Sequence, residues 1–141
     1  MRMLEEDAPS TSDEVTRDDQ ARINRFSRLN SRVDEVIEEL DLLKKQREDL
    51  EEVEGDVELL EMEVDEDDEE GGKIMYKLDS TFLHLPPSEV LEHLQASLGK
   101  IRGEVEALEK EKDECEEEME GLKKELYAKF GTSINLERGD D

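Results

Sequence analysis

The sequence predicts a mainly α protein: an antiparallel two-helix coiled-coil hairpin with one small β-hairpin at the base that joins an oligomeric β-barrel. Three observations carry this expectation. Two long stretches without proline each repeat apolar residues in alternating steps of three and four. A short apolar segment between them abandons that period. Finally, the composition is too polar for an ordinary globular core. Of 141 residues, 45% are charged, 33% hydrophobic and 4% aromatic, so buried apolar area cannot offset the entropy of ordering a compact chain. Long helices that bury a narrow stripe meet that constraint.

Charge and composition exclude several classes. The 44 acids against 19 bases give a formal net charge of −25, and so acidic a chain is repelled by nucleic-acid phosphate. No run approaches the roughly 20 apolar residues that cross a bilayer, so no membrane partner is expected. Met1 to Asp13 carries four acids and no apolar core, unlike a signal or transit peptide. Cys115 is the only cysteine, which points to a reducing, cytoplasmic setting.

The expected organisation follows the chain. Residues 1–15 form a disordered acidic tail. The first helix covers 16–62. Its seam reads Phe26, Leu29, Val33, Val36, Leu40, Leu43, Arg47 and Leu50, then weakens through Glu54 and Val57, with Ile23 and Ile37 widening it. Thr16 is the expected N-cap, with Asp19 three residues on as a weaker form of the capping box. Asp18 and Asp19 suit the positive end of the helix dipole. The helix is expected to end between Gly55 and Glu63.

From Glu51 to Glu70 there is no basic residue, and Asp65 to Glu70 are six consecutive acids. Such a block repels itself, so 63–73 is expected to be a flexible acidic linker. Two strands, about 74–78 and 81–85, then turn at Asp79-Ser80 within a β-hairpin over 74–86. An isolated two-stranded hairpin is marginal in water. Ile74, Met75, Tyr76, Leu78, Phe82, Leu83 and Leu85 are therefore expected to form an oligomer interface with copies or relatives of this chain.

The second helix is expected over 87–130, after Pro86-Pro87. Its seam reads Leu91, Leu94, Leu98, Ile101, Val105, Leu108, Lys112, Cys115, Met119, Leu122 and Leu126. Ser88 is the expected N-cap, and Gly131 stands where a helix-ending glycine belongs. Each helix, at about 40 residues, spans on the order of 60 Å. Two comparable seams favour pairing within the chain, a parallel homodimer being the competing arrangement. Residues 131–141 form a terminal tip and tail.

Two segments carry a resemblance: Asp19-Gln-Ala-Arg-Ile-Asn-Arg-Phe-Ser-Arg28, and Leu126-Tyr-Ala-Lys-Phe-Gly-Thr-Ser-Ile-Asn-Leu-Glu137. With the helix–hairpin–helix order, they make residues 16–137 resemble a β-class prefoldin subunit. The acidic linker is a departure from the family pattern. The resemblance implies a cytosolic, ATP-independent heterohexamer with five other prefoldin subunits, two α-class and three β-class. Their hairpins build a double β-barrel, and the coiled-coil tips hold non-native actin and tubulin for the cytosolic chaperonin.

A physical reading of client capture stands beside that resemblance. It needs exposed apolar groups near helix ends. Ile23 and Phe26 near one end, with Leu126, Tyr127, Phe130, Ile134 and Leu136 near the other, are the expected client-binding tip. Several weak contacts on one flexible client gain avidity. The plainer alternative is that Phe26 and Leu126 close the last layer of the coil.

No catalytic, cofactor-binding or metal site is expected. His84, His93 and Cys115 match no zinc spacing. Counted from Asp65, a calcium loop would need glycine where Glu70 stands and glutamate where Tyr76 stands. Cys115 falls on the seam, as a small buried apolar residue does. Arg47 and Lys112 interrupt the seams, either laying their stems across them or pairing with acids to fix register. Two other functions compete: a structural coiled-coil tether, which leaves the apolar hairpin without purpose, and an acidic chaperone for basic proteins, which leaves Tyr127-Ala-Lys-Phe-Gly131 unexplained.

Overall fold

The computed structural model describes residues 14–63, 72–78 and 80–136. Helix α1 spans Arg17–Glu63, strand β1 Ile74–Leu78, strand β2 Thr81–Leu85 and helix α2 Pro87–Phe130. A 3-10 turn, Gly131–Ser133, follows α2. Helix α1 begins and ends one residue later than the expected 16–62. Residues 1–13, most of the expected tail, lie outside the described residues, as do 64–71 of the linker and Asp79 of the turn. Val15, assigned to the tail, instead packs against the buried cluster described below.

The helix starts follow from their caps. Thr16 Oγ1 accepts from the Asp19 N–H at 3.1 Å, and Asp19 Oδ2 accepts from the Thr16 N–H at 3.1 Å. That is a reciprocal capping box with Asp in the Glu/Gln place. The capping of α2 differs from expectation. Pro87 is its first residue, and the Pro86 carbonyl accepts from Glu89 and Val90 at 3.0 and 3.2 Å. Ser88 therefore lies inside the helix rather than capping it. The physical reason is proline's fixed φ and missing N–H, which suit the first helical position. At the other end Gly131 has φ +59°, the left-handed turn that glycine adopts without strain.

The chain divides into two compact units, and both helices contribute to each. Among the described residues, one contains 14–38 and 109–136, the other 39–63, 72–78 and 80–108. In the first, Ile23, Phe26, Leu29 and Val33 of α1 are buried with Met119, Leu126 and Phe130 of α2 and with Ile134 and Leu136 beyond it. Arg22 pairs with Glu125, Arg25 with Glu118 and Arg32 with Glu111. Numbers rise on α1 as they fall on α2, so these segments run antiparallel. The parallel-homodimer alternative is not needed to partner either seam here.

In the second unit, β1 and β2 pair antiparallel with Ile74 opposite Leu85, Tyr76 opposite Leu83 and Leu78 opposite Thr81. Side chains alternate across the pleat. Ile74, Tyr76 and Leu85 turn toward Val57 of α1 and Val90, Leu91 and Leu94 of α2.

Candidate functional site: an open β-hairpin and a closed helix-end cluster

The hairpin leaves four large apolar side chains uncovered, as α1 leaves Leu42, Leu59 and Met62. Phe82 is 60% exposed and Met75 59%, with Leu78 and Leu83 also exposed. Among the described residues the sheet has two strands, so each strand leaves one edge unpaired. Lys77 lies opposite Phe82, its Nζ 5.8 Å from the ring centroid. The other side of the hairpin is anchored. Tyr76 stacks on His93 of α2 at 5.3 Å between centroids and 20° between planes. The seven expected interface residues therefore divide. Ile74, Tyr76 and Leu85 pack on their own unit, Met75 and Phe82 lie on the opposite face, and Leu78 and Leu83 share the packed face but remain exposed.

The other unit is organised around one buried carboxylate. Asp19 is only 4% exposed. Lys129 donates to its Oδ2, and Arg22 donates to its Oδ1 at 3.2 Å. The Lys129 bond and the Thr16 donors hold its pKa at about 2 against an opposing push from burial. The start of α1 is thereby tied to the last turn of α2. Sequence reasoning saw only the capping role. The missing signal was the heptad itself, since Asp19 stands seven residues before Phe26 and occupies the same seam position.

Register is set beside the seam. Arg25 grips Glu118 through two bonds, Nε–Oε2 at 2.7 Å and Nη2–Oε1 at 3.0 Å. Arg32 grips Glu111 likewise, with Nη2–Oε1 at 2.8 Å. These arginines hold the Glu118 and Glu111 carboxyls below their usual pKa range. Arg47 and Lys112 behave otherwise. They pair with Glu51 and Glu116 on their own helices, at 3.9 and 3.5 Å, with half-buried stems. Pairs within one helix fix no register, which favours the reading in which their stems cover the seam. Cys115 is half-buried, and burial followed by the Glu111 charge pushes its thiol pKa up.

The seven expected tip residues are brought together, but not in the exposed state expected. Ile23, Phe26, Leu126, Phe130, Ile134 and Leu136 are all buried in one cluster, with half-buried Tyr127 packed against it. The reason is the return of the chain after Gly131. Ile134 and Leu136 fold over the layer that Phe26 and Leu126 close, and the Leu136 N–H donates to Tyr127 Oη at 3.0 Å.

Helix α1, the two-stranded hairpin and helix α2 are the features by which the chain can be compared with others. The family model described as prefoldin subunit matches residues 20–133, from the first turns of α1 to the 3-10 turn after α2. The chain belongs to the prefoldin family. It is similar to prefoldin subunit 4 of Saccharomyces cerevisiae, at 35% identity over 125 residues, 89% of this chain and 91% of that one. Prefoldin subunit 4 of Homo sapiens is 35% identical over 123 residues, 87% of each chain. Probable prefoldin subunit 4 of Drosophila melanogaster is 30% identical over 126 residues, 89% of this chain and 86% of that one. No solved structure gives a significant match.

Within this prefoldin-family chain, Val90 was absent from the predicted seam although it is almost wholly buried. It sits beside Leu91 under the hairpin. The heptad carries no signal for it, because it lies one residue off the seam, in a cluster that joins Val57 of α1 to the hairpin residues Ile74, Tyr76 and Leu85. Among the described residues, no helix is long and apolar enough to cross a membrane. Among the described residues, no three His, Cys, Asp or Glu side chains are grouped to hold a metal ion.

Proposed function

We propose that this chain is a subunit of a heterohexameric prefoldin co-chaperone, built with two α-class and three other β-class subunits in the cytoplasm. Membership of the prefoldin family supports assembly with other subunits of that family. The observation that carries the reading is the uncovered face of the hairpin. Met75 and Phe82 leave that face uncovered, and Leu78 and Leu83 are exposed on the other, beside two open strand edges. Strands from neighbouring subunits cover such a face and complete its hydrogen bonds. A coiled-coil tether has no use for it, and an acidic chaperone for basic proteins has no use for its apolar character.

The assembled complex holds non-native proteins, actin and tubulin among them, without ATP and passes them to the cytosolic chaperonin. Binding is apolar and multivalent. The helix-end cluster of Ile23, Phe26, Leu126, Tyr127, Phe130, Ile134 and Leu136 is where this subunit's share is made. The acidic shafts keep an assembly with apolar ends dispersed. No catalytic group takes part.

The test is light scattering from denatured actin diluted into buffer without ATP. The complete complex should suppress aggregation, still at about 0.5 M salt where exposed-charge attraction is screened. A complex prepared without this chain should do so less well. Equal suppression with and without the chain, or loss of suppression in salt, contradicts the reading.

A further inference from the structure

The apolar residues assigned above to client holding are covered, and the cover is this chain's own segment. Beyond Phe130 the chain turns at Gly131, forms one 3-10 turn and becomes extended at Ile134, with φ −129° and ψ +144°. Side chains two residues apart on an extended segment point to the same side. Ile134 and Leu136 are buried in the cluster with Phe26, Leu126 and Phe130, while Asn135 between them is exposed. The Tyr127 hydroxyl holds the backbone of this strap at the Leu136 N–H. The strap does not fill the site. A groove of about 230 Å³ remains beside Leu136, lined by Phe26, Met119 and the chains of Glu116, Glu120 and Lys123.

We propose that residues 133–136 are an internal stand-in for client, and that the client segment which displaces them is extended with large aliphatic side chains two residues apart. This rests on the client-holding reading and states which segments the site takes. The groove beside Leu136 receives the first side chain of an incoming segment. Displacement of Leu136 and Ile134 then exposes Phe26, Leu126 and Phe130 to the rest of it. The strap keeps these groups from water when no client is present. It also weakens client binding by the fraction of time the site stands open, which keeps release possible.

The experiment uses the assembled complex and a fluorescein-labelled peptide with the strap sequence, Gly-Thr-Ser-Ile-Asn-Leu. A control peptide carries serine in place of its isoleucine and leucine. Two strap variants are compared with the natural chain. Ile134→Ser/Leu136→Ser removes the strap's hold, and Tyr127→Phe removes its hydroxyl contact while leaving the apolar surface in place. The double variant should bind the peptide at least tenfold more tightly than the natural complex, and Tyr127→Phe a few-fold more tightly. The control peptide should not bind. In the natural complex, the strap-sequence peptide should speed hydrogen exchange at the Ile134 and Leu136 amides. Equal binding by all three complexes, or peptide binding that leaves strap exchange unchanged, overturns the proposal. The actin assay separates the two claims. If the peptide results hold but actin is not held, client holding fails and the strap stands. If actin is held but the peptide results fail, the reverse is true.

Discussion

Arg25 and Glu118, 93 residues apart in sequence, meet through two parallel hydrogen bonds of 2.7 and 3.0 Å. Both precede a seam residue, Phe26 on α1 and Met119 on α2, so they flank the buried stripe from opposite helices. A planar guanidinium fits a carboxylate in one orientation, which gives the pair geometric specificity as well as attraction. In a chain with a net charge of −25, most carboxylates must go without a basic partner. Where the few arginines stand therefore decides which alignment of the two helices is favoured.

The first prediction concerns that pair. Both side chains are nearly half exposed, so the expected cost of Arg25→Ala is modest, because solvent screens the pair. The reciprocal exchange Arg25→Glu with Glu118→Arg should recover part of it, whereas either change alone should not. A double-mutant cycle on thermal unfolding of the assembled complex measures this. Full additivity of the two single changes would show that the contact adds nothing.

Asp19 gives a pH dependence with a definite sign. Its folded-state pKa, about 2, lies below the ordinary 3.8. A depressed carboxylate contributes stability that is fully present above the ordinary value. That contribution is lost as pH falls from about 4 through about 2, because the unfolded chain then binds the proton more readily. The contribution is on the order of 2 kcal/mol. Asp19→Asn should lower stability at pH 7 and flatten the acid limb between those pH values. Parallel acid limbs for the two chains, followed by circular dichroism, would contradict the assignment.

Burial separates two leucines of the second unit. Leu98 is fully buried and Leu42 is 59% exposed. Leu98→Ala should cost about 2–5 kcal/mol through lost burial and the cavity left behind. Leu42→Ala should stay within about 0.5 kcal/mol. Comparable losses in denaturant unfolding would mean that Leu42 is covered in the assembly, which would locate an additional subunit contact.

Much of this architecture was legible because it follows from local periodicity. The alternating steps from Phe26 to Leu50 and from Leu91 to Leu126 located both helices, and the break in period at Lys73 located the hairpin. The Thr16–Asp19 cap could be read from three-residue spacing alone. What the sequence hid was long-range. Asp19 reads as a surface cap until Lys129, 110 residues away, arrives to neutralise it. Val90 lies off the seam and is buried in a cluster with Val57 of α1 against which the β-hairpin also packs. Ile134 and Leu136 follow a helix-ending glycine, where an apolar residue looks exposed. Only the return of the chain onto Phe26 and Leu126 shows them covered. The g-position pairing of Arg25 with Glu118 and Arg32 with Glu111 was readable in principle. Among so many acids, however, the arginines rather than the glutamates were the informative residues.

The most direct measurement is the native mass of this chain mixed with the other five prefoldin subunits, for the natural sequence and for Phe82→Asp. Placing a charge on the outer face of the hairpin leaves both seams intact, so the helical circular dichroism signal should persist. The account predicts a discrete complex of about six chains for the natural sequence and its loss in the variant. A stable homodimer, indifferent both to the other subunits and to the substitution, would contradict it.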